Sequence, residues 1–219
     1  MMEMKKYIVI LFLALFPFTS FTLYGLDSIG AMGGVMFTGN SSAEGAPSPI
    51  LPFIGAAASF AFRDNSFIEP SIAMTANYYL WSEEESMALP AEIEYADSVL
   101  LLSIFLDSPY VMKYRLRENI DWGWLVSPLL VLRVPVKTWG EGDTQRADIL
   151  SYFYGGRFIF LEAGGLIEWN YSALKSFKSR LDLLFPLYHL WDGGAITDQL
   201  SVRLCLIFSF KVQEKSPGN

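Results

Sequence analysis

Residues 200–210 read Leu-Ser-Val-Arg-Leu-Cys-Leu-Ile-Phe-Ser-Phe. Every second residue of this stretch is large and apolar: Leu200, Val202, Leu204, Leu206, Phe208 and Phe210. The residues between them are mostly small, polar or charged: Ser201, Arg203, Cys205, Ile207 and Ser209. Because successive side chains of a strand point to opposite faces, this period of two predicts a β-strand with one apolar and one largely polar face.

The same alternation recurs along the chain. It is clear over residues 67–81, 110–116 and 122–136, and further strands are expected at 28–38, 51–62, 95–106, 149–161, 166–171 and 180–188. Short turns are expected at 63–66 and 107–109, and longer loops at 39–49, 82–94 and 138–147. The pattern predicts an all-β fold, an antiparallel up-and-down transmembrane barrel of roughly eight to ten strands.

The first residues have the composition of an export signal. Lys5 and Lys6 precede an apolar stretch over residues 7–21, which is short for a transmembrane helix and is interrupted by Pro17. We therefore expect a signal peptide over residues 1–25, a barrel domain over 26–212 and a C-terminal tail over 213–219.

The overall composition differs from that of an ordinary soluble domain. The chain is 52% hydrophobic, 16% aromatic and only 18% charged, whereas soluble domains carry about 25% charged residues. Its net charge of −7, with no basic cluster, gives no reason to expect nucleic acid as a partner. The single cysteine, Cys205, cannot form an intramolecular disulfide. A closed, hydrogen-bonded barrel would supply the stability that disulfides give many exported proteins.

Alternation alone does not say whether the apolar face points outward to lipid or inward to a core. A secreted, soluble lipocalin-like ligand-binding barrel would show the same pattern in the opposite sense, and it is the alternative. Charges of both signs on the polar face, and aromatic residues near strand ends, favour lipid outside. On this interpretation, six residues are candidates to face the lumen: Glu69, Thr75, Asn77, Arg133, Lys137 and Arg203.

The signal-like start, the strand rhythm and the closing Leu206-Ile207-Phe208-Ser209-Phe210 carry a family resemblance. The chain resembles the small outer-membrane β-barrels of diderm bacteria, the group that includes the OmpW-type and OmpX-type proteins, at the level of architecture. The resemblance implies an integral protein of the bacterial outer membrane, with outer-membrane lipid and the barrel-assembly machinery as partners. The OmpW-type comparison further implies passage or binding of small apolar solutes. Classical members of this group end on the terminal phenylalanine, whereas residues 211–219 follow Phe210 here.

No motif for catalysis or for a cofactor stands out. His189 is the single histidine, and Asp192 would lie on the opposite face of a strand. The acidic residues after position 82 match no calcium-binding loop: Glu83, Glu84, Glu85, Glu92, Glu94 and Asp97. We therefore expect no enzyme activity, no cofactor and no metal.

Two passive roles remain open at this point. The first is a narrow, porin-like channel or a binding site for small apolar solutes, and the second is a structural or surface-interaction protein. A surface role predicts a plugged lumen. A channel role predicts a break in the barrel wall or an opening toward the membrane.

Overall fold

The computed structural model describes residues 25–39, 50–84, 86–91, 98–138, 143–193 and 198–212. The tail expected over residues 213–219, and all but the last residue of the expected signal peptide, lie outside the described residues. The strands are β1 (Leu26–Thr38), β2 (Ile50–Arg63), β3 (Ser66–Ile68), β4 (Ser71–Ser82), β5 (Met87–Ala91), β6 (Val99–Asp107), β7 (Tyr110–Arg117), β8 (Ile120–Thr138), β9 (Ile159–Ser172), β10 (Lys175–Pro186) and β11 (Ser201–Lys211). The helices are α1 (Asp143–Gly155) and α2 (His189–Asp192).

The strands close into an antiparallel barrel. Two strands of the barrel wall are each divided into two segments, β3 with β4 and β6 with β7. The segments pair in the same order, because β3 pairs with β7 and β4 pairs with β6. The ring then continues through β8, β9, β10 and β11, and pairing of β11 with β1 closes it. The predicted fold class is confirmed, with a ring of eight wall strands, the lower end of the predicted range.

The prediction of a turn at residues 107–109 is wrong. Asp107, Pro109 and Val111 are all buried, so the inward-outward alternation continues from β6 into β7. The Pro109 carbonyl accepts a hydrogen bond from the Glu69 backbone N–H at 3.0 Å, as it would in a regular ladder. The proline therefore interrupts one wall strand without reversing the chain, because it removes a backbone donor but keeps an acceptor.

The prediction of a strand at residues 149–161 is also wrong for most of these residues. Residues 143–155 form α1, and the next strand, β9, starts only at Ile159 and includes the segment that was expected to be a separate strand. Leu150 and Tyr154 are buried while Tyr152 is 90% exposed, which is the spacing of a helix face. A short apolar run with few alternations does not distinguish the two structures.

The apolar face of each wall strand points outward. In β11, Leu204, Leu206 and Phe208 are exposed, whereas Arg203 and Cys205 are at most 1% exposed. This is the sense expected for lipid outside, and it is opposite to that of a lipocalin-like barrel.

The connections are short at one end of the barrel and long at the other. Three tight turns join β2 to β3, β7 to β8 and β9 to β10, and the described chain starts and ends on the same side. We call this side the turn end. The opposite side, the loop end, carries β5, α1 and α2. Neither helix in the described part of the chain is long and apolar enough to cross a membrane.

The ladder between β2 and β4 covers only part of their length. Its register ends at Ile54↔Met74, and Pro52 has no N–H with which to extend it. The Pro52 carbonyl instead accepts a hydrogen bond from Thr75 Oγ1 at 2.6 Å. Farther toward the loop end, β4 pairs with β5. The backbone ladder between β2 and β4 is therefore interrupted next to Pro52 and Thr75, in the loop-end half of the wall. We call this interruption the β2–β4 seam.

Candidate functional site: the ion-paired lumen and its two ends

A four-residue ionic cluster lies in the lumen near the turn end. Lys178 Nζ donates to both carboxylate oxygens of Glu69 at 2.6 Å. Lys113 Nζ lies 2.9 Å from Glu69 Oε1 and 2.8 Å from Glu168 Oε2, and each of the four side chains is less than a tenth exposed. This basal cluster, Glu69, Lys113, Glu168 and Lys178, pairs two positive with two negative charges.

A second ionic cluster crosses the middle of the lumen. Arg203 Nη2 lies 3.1 Å from Asp107 Oδ2 and 2.5 Å from Glu162 Oε1, and its Nε lies 3.2 Å from Asp182 Oδ2. Arg180 Nη2 lies 2.5 Å from Glu162 Oε1 and 3.0 Å from Asp182 Oδ2. These five side chains, the central cluster, are at most 1% exposed. A charge buried this deeply is very costly unless it is paired, and each one here has a partner of opposite sign.

Inward-facing Gly164 of β9 makes room for Asp182 of the central cluster. A Cβ placed on Gly164 would meet Leu181 O at 2.6 Å and would also collide with Asp182 Oδ1. A Cβ on the next residue, Gly165, would come no closer than 3.8 Å to another atom. Gly164 is therefore needed for a close approach between β9 and β10, whereas Gly165 has no such requirement.

Buried apolar side chains pack beside the ionic clusters and on toward the loop end. The buried members of this core are Met32, Met36, Leu51, Phe53, Ala73, Phe105, Leu129, Val131, Phe160, Leu184, Tyr188, Cys205 and Ile207. Cys205 and Ile207 of this core lie opposite Arg180 and Lys178 in the β10–β11 register, so apolar side chains also pack beside the ionic clusters. In an eight-stranded barrel the interior is just wide enough for side chains to fill it.

Helix α1 packs on the inward-facing residues at the loop end. Leu150 and Tyr154 contact a cluster that includes Tyr79 of β4. The Arg133 guanidinium lies 4.3 Å from the Tyr154 ring centroid, and Arg133 Nη1 donates to the carbonyl of Arg157 at 3.1 Å. Burial raises the pKa of Tyr154 well above its usual range, so the phenol stays neutral. Arg133 thereby joins β8 to the segment that leaves α1.

The structure places the six lumen candidates in different surroundings. Glu69 belongs to the basal cluster and Arg203 to the central cluster. Thr75 is buried at the β2–β4 seam, and Arg133 is half-buried against α1. Asn77 is also half-buried, and the side chain of Lys137 lies outside the described residues.

Most members of the ionic clusters were not among the candidates: Asp107, Lys113, Glu162, Glu168, Lys178, Arg180 and Asp182. Lys178, Arg180 and Asp182 alternate along β10 with exposed Leu181 and Leu183. The same test of alternation that selected Arg203 would have found these three residues. The expected boundary at residue 180 excluded Lys178, and the misplaced strand at 149–161 obscured Glu162.

The described residues that the sequence offered for chemistry lie at the loop end. His189 Nε2 lies 3.1 Å from the Asp198 carbonyl oxygen, and the side chain of Asp192 lies outside the described residues. Glu83 and Glu84 are exposed, whereas residues 85 and 92–97 lie outside the described residues. Within the described ranges, no group of three His, Cys, Asp or Glu side chains is positioned to hold a metal ion.

A polar cavity of about 190 Å³ lies at the turn end. Lys113 and Glu168 of the basal cluster form part of its wall, together with Asp64, Asp121 and Lys211 near the strand ends. The cavity therefore forms a mixed-charge vestibule that reaches the basal cluster.

No family model matches this chain, and no curated protein matches its sequence. Among solved structures, Neisserial surface protein A is similar with a TM-score of 0.51 and 9% sequence identity, over 86% of this chain and 99% of that one. The attachment invasion locus protein Ail of Yersinia pestis, solved with the heparin analogue sucrose octasulfate, gives a TM-score of 0.46 and 10% identity, over 85% of this chain and 96% of that one. At such identities the likeness to the Neisserial protein concerns the fold alone. The architecture is that of the small bacterial outer-membrane β-barrels, as expected from the sequence.

Proposed function

We propose that this chain is an integral outer-membrane barrel with a closed lumen, which acts through its exposed loop end as a non-enzymatic structural or surface-interaction protein. The observation that carries the proposal is the central cluster, whose five ionisable side chains fill the middle of the lumen at no more than 1% exposure. Outer-membrane lipid and the barrel-assembly machinery are the partners that this location requires.

The electrostatics of the lumen support closure. A conducting pore needs a continuous path of water, and charges that line such a path are solvated. Here the charges are instead paired with one another, and the large aliphatic and aromatic side chains of the apolar core pack beyond them. An ion entering from the turn end would have to displace the basal cluster and then the central cluster, each held by several short contacts.

Membrane insertion is tested on the mature chain refolded into detergent micelles and lipid vesicles. We expect a strand-dominated circular dichroism spectrum and a folded band that changes its mobility on a gel only after boiling. A chain that stays monodisperse without detergent would contradict the membrane location.

Closure is tested by planar-bilayer recording with a large porin as the positive control. We expect no reproducible conductance steps from the folded protein. Conductance steps whose ion selectivity changes in Lys113→Gln would contradict closure, because they would place a basal-cluster charge in the ion path.

The described loop end displays residues suited to contact with other molecules. Tyr152, Leu190 and Trp191 are 90%, 75% and 59% exposed on the two helices, and the acidic Glu83 and Glu84 lie on the turn before β5. Large contiguous patches of exposed apolar side chains mark contact sites, and in this proposal the three residues contribute to such a patch. Cells expressing Tyr152→Ser with Trp191→Ser should lose surface attachment that the parent confers, at equal surface amounts. Equal attachment by both would contradict a role for these residues.

Passage of small apolar solutes is a second candidate, and the β2–β4 seam is the observation that favours it. The seam is held by the Thr75–Pro52 hydrogen bond and is flanked outside by the exposed side chains of Ile54 and Met74. Vesicles containing the protein should then take up an apolar dye faster than empty vesicles, and Thr75→Val should change the rate. Uptake equal to that of empty vesicles would exclude this candidate.

A further inference from the structure

Outward-facing aromatic residues form a connected patch at the turn end of β9 and β11. Trp169 and Tyr171 lie 5.8 Å apart between ring centroids, Tyr171 and Phe208 lie 6.0 Å apart, and Phe208 and Phe210 lie 5.0 Å apart. All four side chains are exposed, between 38% and 49%. Aromatic rings in this position of a membrane barrel lie at the level of the lipid headgroups.

Lys175 adds a positive charge to this patch. It is the first residue of β10, it is exposed, and its register partner on β11 is Phe210. Its Nζ lies 5.8 Å from the Phe210 ring centroid. The ring therefore holds the ammonium group near the level at which lipid phosphates lie. We call Lys175 and the four aromatic residues the rim patch.

A cation over an aromatic ring also occurs at the turn end of β2. The Arg63 guanidinium lies 5.6 Å from the Phe62 ring centroid, and both residues are exposed. The repetition indicates that the turn end presents cations next to rings at two places on its circumference.

We propose that the rim patch binds the phosphate headgroup of an anionic phospholipid in the leaflet at the turn end. Lys175 would pair with the phosphate, while the apolar chains would lie along outward-facing Phe177 and Ile167, which are 38% and 57% exposed. A lysine near an anionic lipid surface strengthens binding several-fold. The adjoining rings contact the apolar part of the lipid, and a soluble phosphate has no such part. This inference rests on the membrane location proposed above.

The test is native mass spectrometry of the folded protein in detergent, titrated with phosphatidylglycerol or with phosphatidylethanolamine. We expect the first bound phosphatidylglycerol to bind more tightly than the first phosphatidylethanolamine. Lys175→Gln should weaken the phosphatidylglycerol complex by roughly fivefold and the complex with the zwitterionic lipid by less, because that lipid carries no net charge. Lys175→Arg should retain the preference, because it keeps the positive charge.

Arg117→Gln is the matched control, because Arg117 is an exposed cation at the same end outside the rim patch. Equal weakening by Arg117→Gln and Lys175→Gln would overturn the proposal in favour of general charge attraction. No preference in the parent protein would also overturn it. Before each titration the heat-modifiable band establishes folding, so a protein that folds and inserts without lipid preference refutes only the rim patch. Failure to insert would instead refute the membrane location.

Discussion

Individual side-chain positions in this barrel are constrained from opposite directions by lipid and by the packed lumen. Outward positions accept almost any large apolar residue, whereas inward positions must match a neighbour in both volume and charge. Neighbouring Gly164 and Gly165 illustrate the difference, since only the first lies against Asp182 and the β10 backbone.

Gly164→Ala should destabilise the folded barrel by about 1–3 kcal/mol, because overpacking displaces side chains or backbone. Gly165→Ala, which adds the same methyl group one residue away, should change stability by much less. Urea unfolding in detergent, followed by tryptophan fluorescence, measures both. Equal losses in the two variants would mean that the contact with Asp182 does not set the spacing of β9 and β10.

Leu204→Arg should cost about 2–4 kcal/mol if residue 204 lies near the middle of the hydrocarbon layer. Leu204 is 42% exposed on the outward face of β11, so the arginine would enter lipid. Leu204→Ile is the control with similar volume and no charge. Unchanged stability of Leu204→Arg in vesicles would reverse the assignment of the two faces.

Arg203→Gln should cost about 3–5 kcal/mol, because it leaves Glu162, Asp107 and Asp182 with less compensation in the buried central cluster. The pair of Arg115 and Asp121, which lie 2.7 Å apart with the Arg115 side chain 64% exposed, offers a comparison. Arg115→Gln should cost at most about 1 kcal/mol. The same urea experiment compares them, and similar losses would contradict the role given to burial.

At the scale of strands and helices, alternation is a reliable guide wherever a wall strand is long. It identified β4, β8 and β11 and the side each presents, because lipid and lumen impose opposite demands on successive residues. It failed over residues 143–155, where the apolar residues of α1 are concentrated in the short run 149–154. It also could not show that Pro109 continues a strand. That depends on the hydrogen bond from the backbone N–H of Glu69, which is distant in sequence, to the Pro109 carbonyl.

The sequence could not predict which charged residues form ion pairs, for a related reason. Which inward residues meet across a barrel depends on strand number and on the stagger of the ladder. Arg203 and Asp107 are separated by 96 positions along the chain, and no local pattern joins them. The sequence could predict that buried charges would be paired, but not with which residues.

Leu150→Ala should release α1 from the loop end while the barrel remains folded. Leu150 is fully buried against the inward residues of β4 and β6, and such truncations cost about 2–5 kcal/mol. Tyr152→Ala, on the exposed side of the same helix, is the control. Limited proteolysis should cut the Leu150→Ala protein faster within α1, with an unchanged heat-modifiable band. Loss of that band would mean instead that α1 is needed for the whole barrel.

At the scale of the whole molecule, the two ends should face different compartments. An epitope inserted between Glu118 and Asn119 lies at the turn end, and one inserted between Glu83 and Glu84 lies at the loop end. Antibody should stain intact cells only for the second insertion, and permeabilised cells for both. Staining of intact cells for the first insertion alone would invert the orientation.

The distribution of the ion-paired lysines and arginines along the chain has a consequence for assembly. Glu69, Asp107 and Glu162 precede the last hairpin, whereas Lys178, Arg180 and Arg203 belong to it. Without β10 and β11, the acidic groups of the two ionic clusters that lie on the other strands would have Lys113 as the one cluster cation to offset them. The hairpin that closes the ring therefore also brings most of the positive charge that offsets the acidic groups of the interior.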